Sequence, residues 1–227
     1  MGIVSILIPT LNEEASLPAT LAALSRLNPH EIIVADGGST DRTAAIAAPY
    51  ARVIKTPPGR GSQLRAAAEI ATGNVLWFVH ADTLPCPQAL HAICECLQDP
   101  RVPGGNFTLL FDGDSNAARQ LTRVYPWLRR IGLIYGDSGI FLRRSAYLQL
   151  GGIQPYPVFE DLDLVRRARR LGPFPTLAAT LTTSSRRFEN RNFASMFAQW
   201  TALQVLFWAG VSPHRLASLY RPVRAQR

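Results

Sequence analysis

Lysine is almost missing from this chain: of its 24 Lys+Arg residues, only Lys55 is a lysine. The basic groups are therefore guanidiniums, a bias that either phosphate binding or the coding preference of a genome produces. Cysteine is scarce as well. Cys86, Cys94 and Cys96 are an odd count without a CxxC pair, which excludes a disulfide scaffold and predicts inert thiols in a reducing compartment. No basic segment or small-residue cleavage site follows Met1, so no export signal is legible and a cytoplasmic location is expected. No GxGxxG follows the first apolar run and no GxxxxGK[ST] occurs, which speaks against a dinucleotide fold or a P-loop.

What is present is the composition of a packed protein. Apolar residues make up 47% and charged residues 18% of 227 residues, which excludes disorder and collagen-like repeats. A chain of this length buries about 70% of its unfolded surface and needs no staple. Residues 1–136 carry 11 basic and 11 acidic side chains, so the whole net charge of +8 falls in residues 137–227. A basic half suits an anionic partner such as a nucleotide phosphate or a lipid head group. Its arginines are not interleaved with aromatics in a recognisable motif, which argues against nucleic acid. The long uncharged run from Phe193 to Pro213 contains Gln199 and Gln204 and predicts a buried or interfacial helix rather than a membrane span. Arg186, Arg187, Arg191, Arg215 and Arg221 flank it, so peripheral contact with the inner membrane face is one expectation.

The hydrophobic pattern alternates. Strands are predicted over 3–8, 31–35, 52–55 and 75–79, and helices over 15–26, 40–48, 61–71 and 87–97. Such alternation means βαβ units and a mostly parallel sheet flanked by helices. Beyond Pro100 the pattern predicts strands over 106–111, 139–142 and 177–183, and helices over 115–133 and 159–171. Two helices then close the chain. Gly and Pro are spread without a linker, so residues 1–227 are expected to form one domain. Its expected parts are a nucleotide-binding half over 1–100, an acceptor half over 101–185 and C-terminal helices over 186–227.

In an open α/β sheet, ligands sit at the carboxyl ends of the strands. There the sequence places Pro9-Thr10-Leu11-Asn12-Glu13-Glu14, Asp36-Gly37-Gly38-Ser39-Thr40-Asp41, Pro58-Gly59-Arg60-Gly61-Ser62 and His80-Ala81-Asp82. Taken singly, Asn12 and Ser39 could cap helices, Asp36 could open an ordinary turn and Asp82 could be a surface carboxylate. Four polar loops on one rim are a stronger signal than any one of them.

The ordered segments PTLNEE, ADGGSTD, GRGSQLRAA, FVHADT and FEDLDLVRR resemble glycosyltransferase family 2, of the GT-A fold, over nearly the whole chain. FVHADT, Gly136-Asp137 and the ending GVSPHRLASLYR are similar to the short transferases associated with arsenosugar biosynthesis. The resemblance implies an inverting, non-processive transfer of a sugar from a nucleotide-diphosphate donor, by default a UDP-sugar, to an acceptor hydroxyl. That acceptor is a small molecule or a lipid-linked precursor. It implies that Pro9, Thr10, Asn12 and Glu13 line the base and ribose, with Asp36 accepting from the base and Ser39 shaping the loop. Arg60 and Arg65 would approach the donor phosphates, and Ala81 belongs to the same rim. Asp82 matches the last carboxylate of the family's DxD metal motif and would bind Mg²⁺ or Mn²⁺. His80 stands at the first DxD position, where it either ligates the metal, favouring Mn²⁺, or hydrogen-bonds the nucleotide. Glu160-Asp161 matches the family's ED pair, with Asp161 as general base. Phe197-Ala198-Gln199-Trp200-Thr201 lacks the QxxRW of processive relatives. Two further readings are a nucleotidyltransferase and a degenerate transferase that only binds its ligand.

Overall fold

A computed structural model of the protein describes residues 2–112, 119, 122–123, 134–184 and 193–219, with side chains of the last segment described from residue 198. The first half follows the predicted alternation. Strand β1 (Val4–Thr10) leads to α1 (Leu17–Arg26), β2 (Glu31–Asp36), α2 (Thr43–Ala47), β3 (Arg52–Lys55), α3 (Arg60–Ile70) and β4 (Val75–Phe78). All three pairings among these strands are parallel, with Ile6 opposite both Ile32 and Trp77.

β1 and β2 are nearly continuous apolar runs because helices cover both faces of the sheet. Alternate side chains of β1 go to opposite cores. Val4, Ile6 and Ile8 pack with Leu17, Leu21 and Leu24 of α1, while Leu7 packs with Leu64, Ala67 and Ala68 of α3. The small residues of α3 let that helix lie close to the strands, which brings its first residue, Arg60, to their carboxyl ends.

The second half is more irregular than its sequence pattern. It runs through β5 (Thr83–Pro85), α4 (Ala89–Cys96), β6 (Gly104–Phe111), a 3₁₀ turn at Gly136–Ser138, β7 (Phe141–Arg143) and α5 (Arg144–Gln149). It continues through α6 (Glu160–Ala168), β8 (Thr176–Thr183), α7 (Phe193–Trp208) and α8 (Pro213–Leu219). The sheet order is β3-β2-β1-β4-β7-β6-β8-β5. β7 runs antiparallel to β4 and β6, and β5 antiparallel to β8, while β6 and β8 pair in parallel, so the second half of the sheet is mixed. The sequence pattern predicts neither β5 nor α5. β5 is three residues long and carries Pro85 at the sheet edge, where the missing N–H costs nothing. The helix expected over 115–133 falls almost wholly outside the described residues, as do Arg186, Arg187, Arg191 and Arg221.

Among the described residues, no helix is long and apolar enough to cross a membrane. α7 packs inward through Leu203, Gln204 and Phe207, which join Phe159 and Leu162 of the α6 entry and Leu216 of α8. Val205, Leu206 and Trp208 face outward.

Candidate active site

The strand order reverses between β1 and β4, and a cleft opens there at their carboxyl ends. Its walls include Pro9, Arg60, His80, Gly136, Glu160 and Asp161. These residues come from five separate stretches of chain, and the fold alone brings them together.

The first wall is a pair of loops fastened to each other. Asn12, in the left-handed region at φ 54°, accepts the Thr40 N–H at 2.8 Å and donates its own N–H to Ser39 Oγ at 2.9 Å. The Glu13 N–H donates to Thr43 Oγ1 at 2.8 Å. Asn12 and Ser39 therefore join the loops rather than cap α1 or α2. Asp36 is 3% exposed and accepts from Thr10 Oγ1, Gly38 N–H, Ser39 N–H and Ser39 Oγ at 3.2, 3.3, 3.0 and 2.5 Å. Four internal donors fill the acceptor sites of a carboxylate, so the structure places Asp36 inside the loop as its organiser. Gln63, which sequence reasoning passed over, donates through Nε2 to the carbonyls of Thr10 and Ala35, both at 2.8 Å. It clamps the ends of β1 and β2 from below. A buried glutamine in an otherwise small, apolar helix face was the available signal.

Of the two arginines expected at the donor, one reaches the cleft. Arg60 opens α3 and points to its mouth, whereas Arg65 lies on the exposed face and meets Glu69 at 3.4 Å. Five residues at 100° each turn Arg65 about 140° away from Arg60. Ala81 is buried and its carbonyl accepts the Thr20 hydroxyl at 2.9 Å, which anchors the turn carrying His80 and Asp82. Asp82 Oδ1 accepts from Thr183 Oγ1 at 3.4 Å.

The carboxylate pair opens α6. Phe159, just before it, adopts the left-handed conformation (φ 63°, ψ 18°). For a bulky residue this costs about 1–3 kcal/mol and persists only where packing imposes it. Here the Phe207 ring lies 5.2 Å from the Phe159 ring. Asp161 Oδ1 accepts the Leu162 N–H at 2.7 Å and Oδ2 accepts the Gly136 N–H at 2.6 Å. Arg60 donates through Nε to Glu160 Oε1 and through Nη2 to Asp161 Oδ2, the latter at 3.4 Å. Glu160 is fully buried, and its Oε2 has no hydrogen-bond partner among the described residues. Downstream in α6, Arg167 bonds Asp163 at 2.7 Å and the carbonyls of Leu150 and Gly152, so it is a structural clasp, while Arg166, Arg169 and Arg170 are exposed.

Burial pushes the Glu160 carboxyl above its ordinary value of 4.5; the Arg60 guanidinium opposes this and the Asp161 charge adds to it. Below 4.5 both folded and unfolded chains hold the proton. Between that value and the raised folded one, only the folded chain does, so this group's contribution to stability falls as pH rises through the window. Glu160→Gln cannot titrate. Its melting temperature is expected to fall less than that of the wild type as pH is raised from about 4 toward neutrality. Parallel curves for the two proteins would contradict the assignment.

Gly136 separates His80 from Asp161. A Cβ there would stand 3.1 Å from both Asp161 Oδ2 and His80 Nε2. Gly136→Ala must therefore push both side chains aside by a few tenths of an ångström and loosen the 2.6 Å bond to Asp161. A misplacement of this size is expected to lower turnover about tenfold with little change in melting temperature. Steady-state kinetics beside thermal unfolding checks it.

The chain matches the family model described as glycosyl transferase family 2 over residues 5–147, and it belongs to that family. It is similar to the probable glycosyltransferase YdaM of Bacillus subtilis, at 29% identity over 203 residues, covering 74% of this chain and 47% of that protein. It is similar to the uncharacterized glycosyltransferase Rv0539 of Mycobacterium tuberculosis, at 42% identity over 81 residues, 35% of this chain and 36% of that one. The chain thus spans less than half the length of these relatives. Among solved structures it resembles glucosyl-3-phosphoglycerate synthase from Mycobacterium tuberculosis in complex with Mn²⁺ and UDP-glucose. The TM-score is 0.63 at 22% identity, covering 92% of this chain and 80% of that one. The shared architecture is the GT-A fold.

Proposed function

We propose that the chain is an inverting, non-processive glycosyltransferase that takes a sugar from a nucleotide-diphosphate donor, a UDP-sugar in the first instance. The observation that carries this reading is the convergence of Arg60, Glu160, Asp161, Gly136 and His80 on one cleft at the carboxyl ends of β1 and β4. Family membership and the GT-A fold support it. The donor's nucleotide lies against Pro9 and the fastened 10–14 and 36–43 loops, whose shape Asp36 and Ser39 hold. Arg60 offers forked, charge-assisted bonds to the diphosphate.

Asp161 takes the proton of the acceptor hydroxyl. The acceptor oxygen bonds the anomeric carbon as the bond from that carbon to the diphosphate oxygen breaks. One displacement inverts the configuration. Glu160, out of solvent and against Arg60, orients the guanidinium.

Among the described residues, no group of three or more His, Cys, Asp or Glu side chains forms a closed metal cage. A single carboxylate fits a cation held largely by a substrate diphosphate, which is how Mg²⁺ and Mn²⁺ are often bound. Asp82 would hold it, with His80 on the same turn either a second ligand, which would favour Mn²⁺, or a contact to the nucleotide. A divalent cation there stabilises the negative charge that develops on the departing diphosphate.

The test is release of nucleoside diphosphate from UDP-glucose, UDP-N-acetylglucosamine and GDP-mannose, with Mn²⁺, Mg²⁺ or chelator, in the presence of hydroxyl acceptors. Metal-stimulated release from at least one donor, with the sugar on an acceptor in inverted configuration, is expected. Tight UDP binding without turnover of any donor would point instead to a ligand-binding protein.

A further inference from the structure

We propose that α7 is a positioning element for the catalytic carboxylate, acting through Gln204 and Phe207; the inference rests on the reading of Asp161 as the base. Two segments fix Asp161, and α7 holds both. The first is the turn that gives Asp161 Oδ2 the Gly136 N–H at 2.6 Å. Its preceding residue, Tyr135, donates its hydroxyl to Gln204 Oε1 at 2.8 Å, and its ring meets Trp200 edge-on at 5.9 Å. The second is the left-handed Phe159, which sets the angle at which Glu160 and Asp161 enter α6. Phe159 packs on Phe207 at 5.2 Å and shares a cluster with Leu203 and Leu216.

Trp200, Leu203, Gln204 and Phe207 are spaced as i, i+3, i+4 and i+7, so one helical stripe makes all these contacts. None of them lies within residues 5–147 matched by the family model.

Gln204 is the informative residue. It is 4% exposed on a stripe that is otherwise apolar, and its Nε2 has no hydrogen-bond partner among the described residues. Burying an amide is unfavourable unless its bonds are made. A helix that merely covered the core would be better served by leucine at this position. The bond to Tyr135 fixes where the Gly136 N–H stands, and a carboxylate that must line up with an acceptor hydroxyl is sensitive to displacements well below 1 Å.

The test uses the full chain with Gln204→Leu, which keeps the volume and removes the acceptor, Tyr135→Phe, which removes the donor, and the double variant. The donor is whichever of UDP-glucose, UDP-N-acetylglucosamine or GDP-mannose turns over. Each single variant is expected to lose about tenfold in kcat, with the donor KM and the affinity for UDP with Mn²⁺ unchanged within about twofold. The double variant should be no worse than either single one, because both remove the same bond. Unaltered kcat in Gln204→Leu and Tyr135→Phe, or losses that appear only in UDP affinity or simply add, overturn the inference. Asp161→Asn is measured alongside. Near-normal transfer in that variant removes the base and this inference with it. A collapse there, with unaltered Gln204→Leu, removes the inference alone.

Discussion

Asp161→Asn is expected to lower sugar transfer by about two to four orders of magnitude, the usual contribution of a positioned general base. Its affinity for nucleoside diphosphate should stay within a few-fold of wild type. The amide keeps the shape of the side chain and its one oxygen can still accept the Gly136 N–H, which holds the turn at Gly136–Ser138, at the cost of the bond from the Leu162 N–H. What it cannot do is take a proton. Single-turnover transfer at saturating donor and acceptor, with calorimetric titration of UDP, separates the two quantities. Near-normal transfer would move the base elsewhere, and Glu160, which shares Arg60, becomes the first group to examine.

Asp82→Asn should behave differently, because in the proposed mechanism Asp82 holds the cation at the donor diphosphate and takes no part in deprotonating the acceptor. It is expected to lose transfer and, before any chemistry, the part of UDP affinity that depends on Mn²⁺. Metal-free UDP affinity, held by the 10–14 and 36–43 loops, should survive. Thermal unfolding of the variant, measured beside the titrations, separates these losses from a loss of fold, since Asp82 Oδ1 also accepts from the Thr183 hydroxyl at 3.4 Å. Titrations of UDP with and without Mn²⁺, for wild type and variant, supply the check. Full transfer by Asp82→Asn in chelator would make the enzyme metal-independent, with Arg60 neutralising the diphosphate. His80→Ala measured in the same way distinguishes a ligand, whose loss weakens only the Mn²⁺-dependent part, from a nucleotide contact, whose loss weakens both.

Arg60 is the side chain through which the two proposed roles meet. Arg60 bonds both Glu160 and Asp161, so a diphosphate that draws Arg60 toward itself also changes what surrounds the base. In the proposed mechanism, donor binding and the placement of Asp161 are therefore linked through one guanidinium.

The parts of the molecule that were legible without coordinates are those written in local pattern. The apolar runs of β1, β2 and β4 and the leucines of α1 repeat at the periods of strand and helix, and the polar loops that follow the strands mark one rim. The order of those loops, with FEDLDLVRR beyond them, was enough to identify the family. It did not distinguish Arg60 from Arg65, which depends on where around α3 each side chain leaves the helix. It did not show Asp36 closed within its own loop, nor Gln63 bonded to two strand ends. Those facts depend on hydrogen bonds between residues far apart in the chain. The antiparallel turn of the sheet at β7 and the short edge strand β5 were hidden for a related reason: strands of three residues carry too little periodicity to register.

The sequence by itself determined the fold class and the family, and it singled out the carboxylates proposed as base and metal ligand, because each is carried by a short run of neighbouring residues. Only the tertiary structure decided how those groups are held. Arg60 meets Glu160 across 100 residues of chain, and Tyr135 meets Gln204 across 69. The left-handed Phe159 that aims the pair stands against Phe207, on a helix whose uncharged sequence alone left open whether it would pack on the domain or lie on a membrane. Local periodicity records which face of an element is apolar, but not which partner that face will meet. The partner is chosen by the packing of the whole chain, and in this protein that packing places α7 against the segments that hold Asp161.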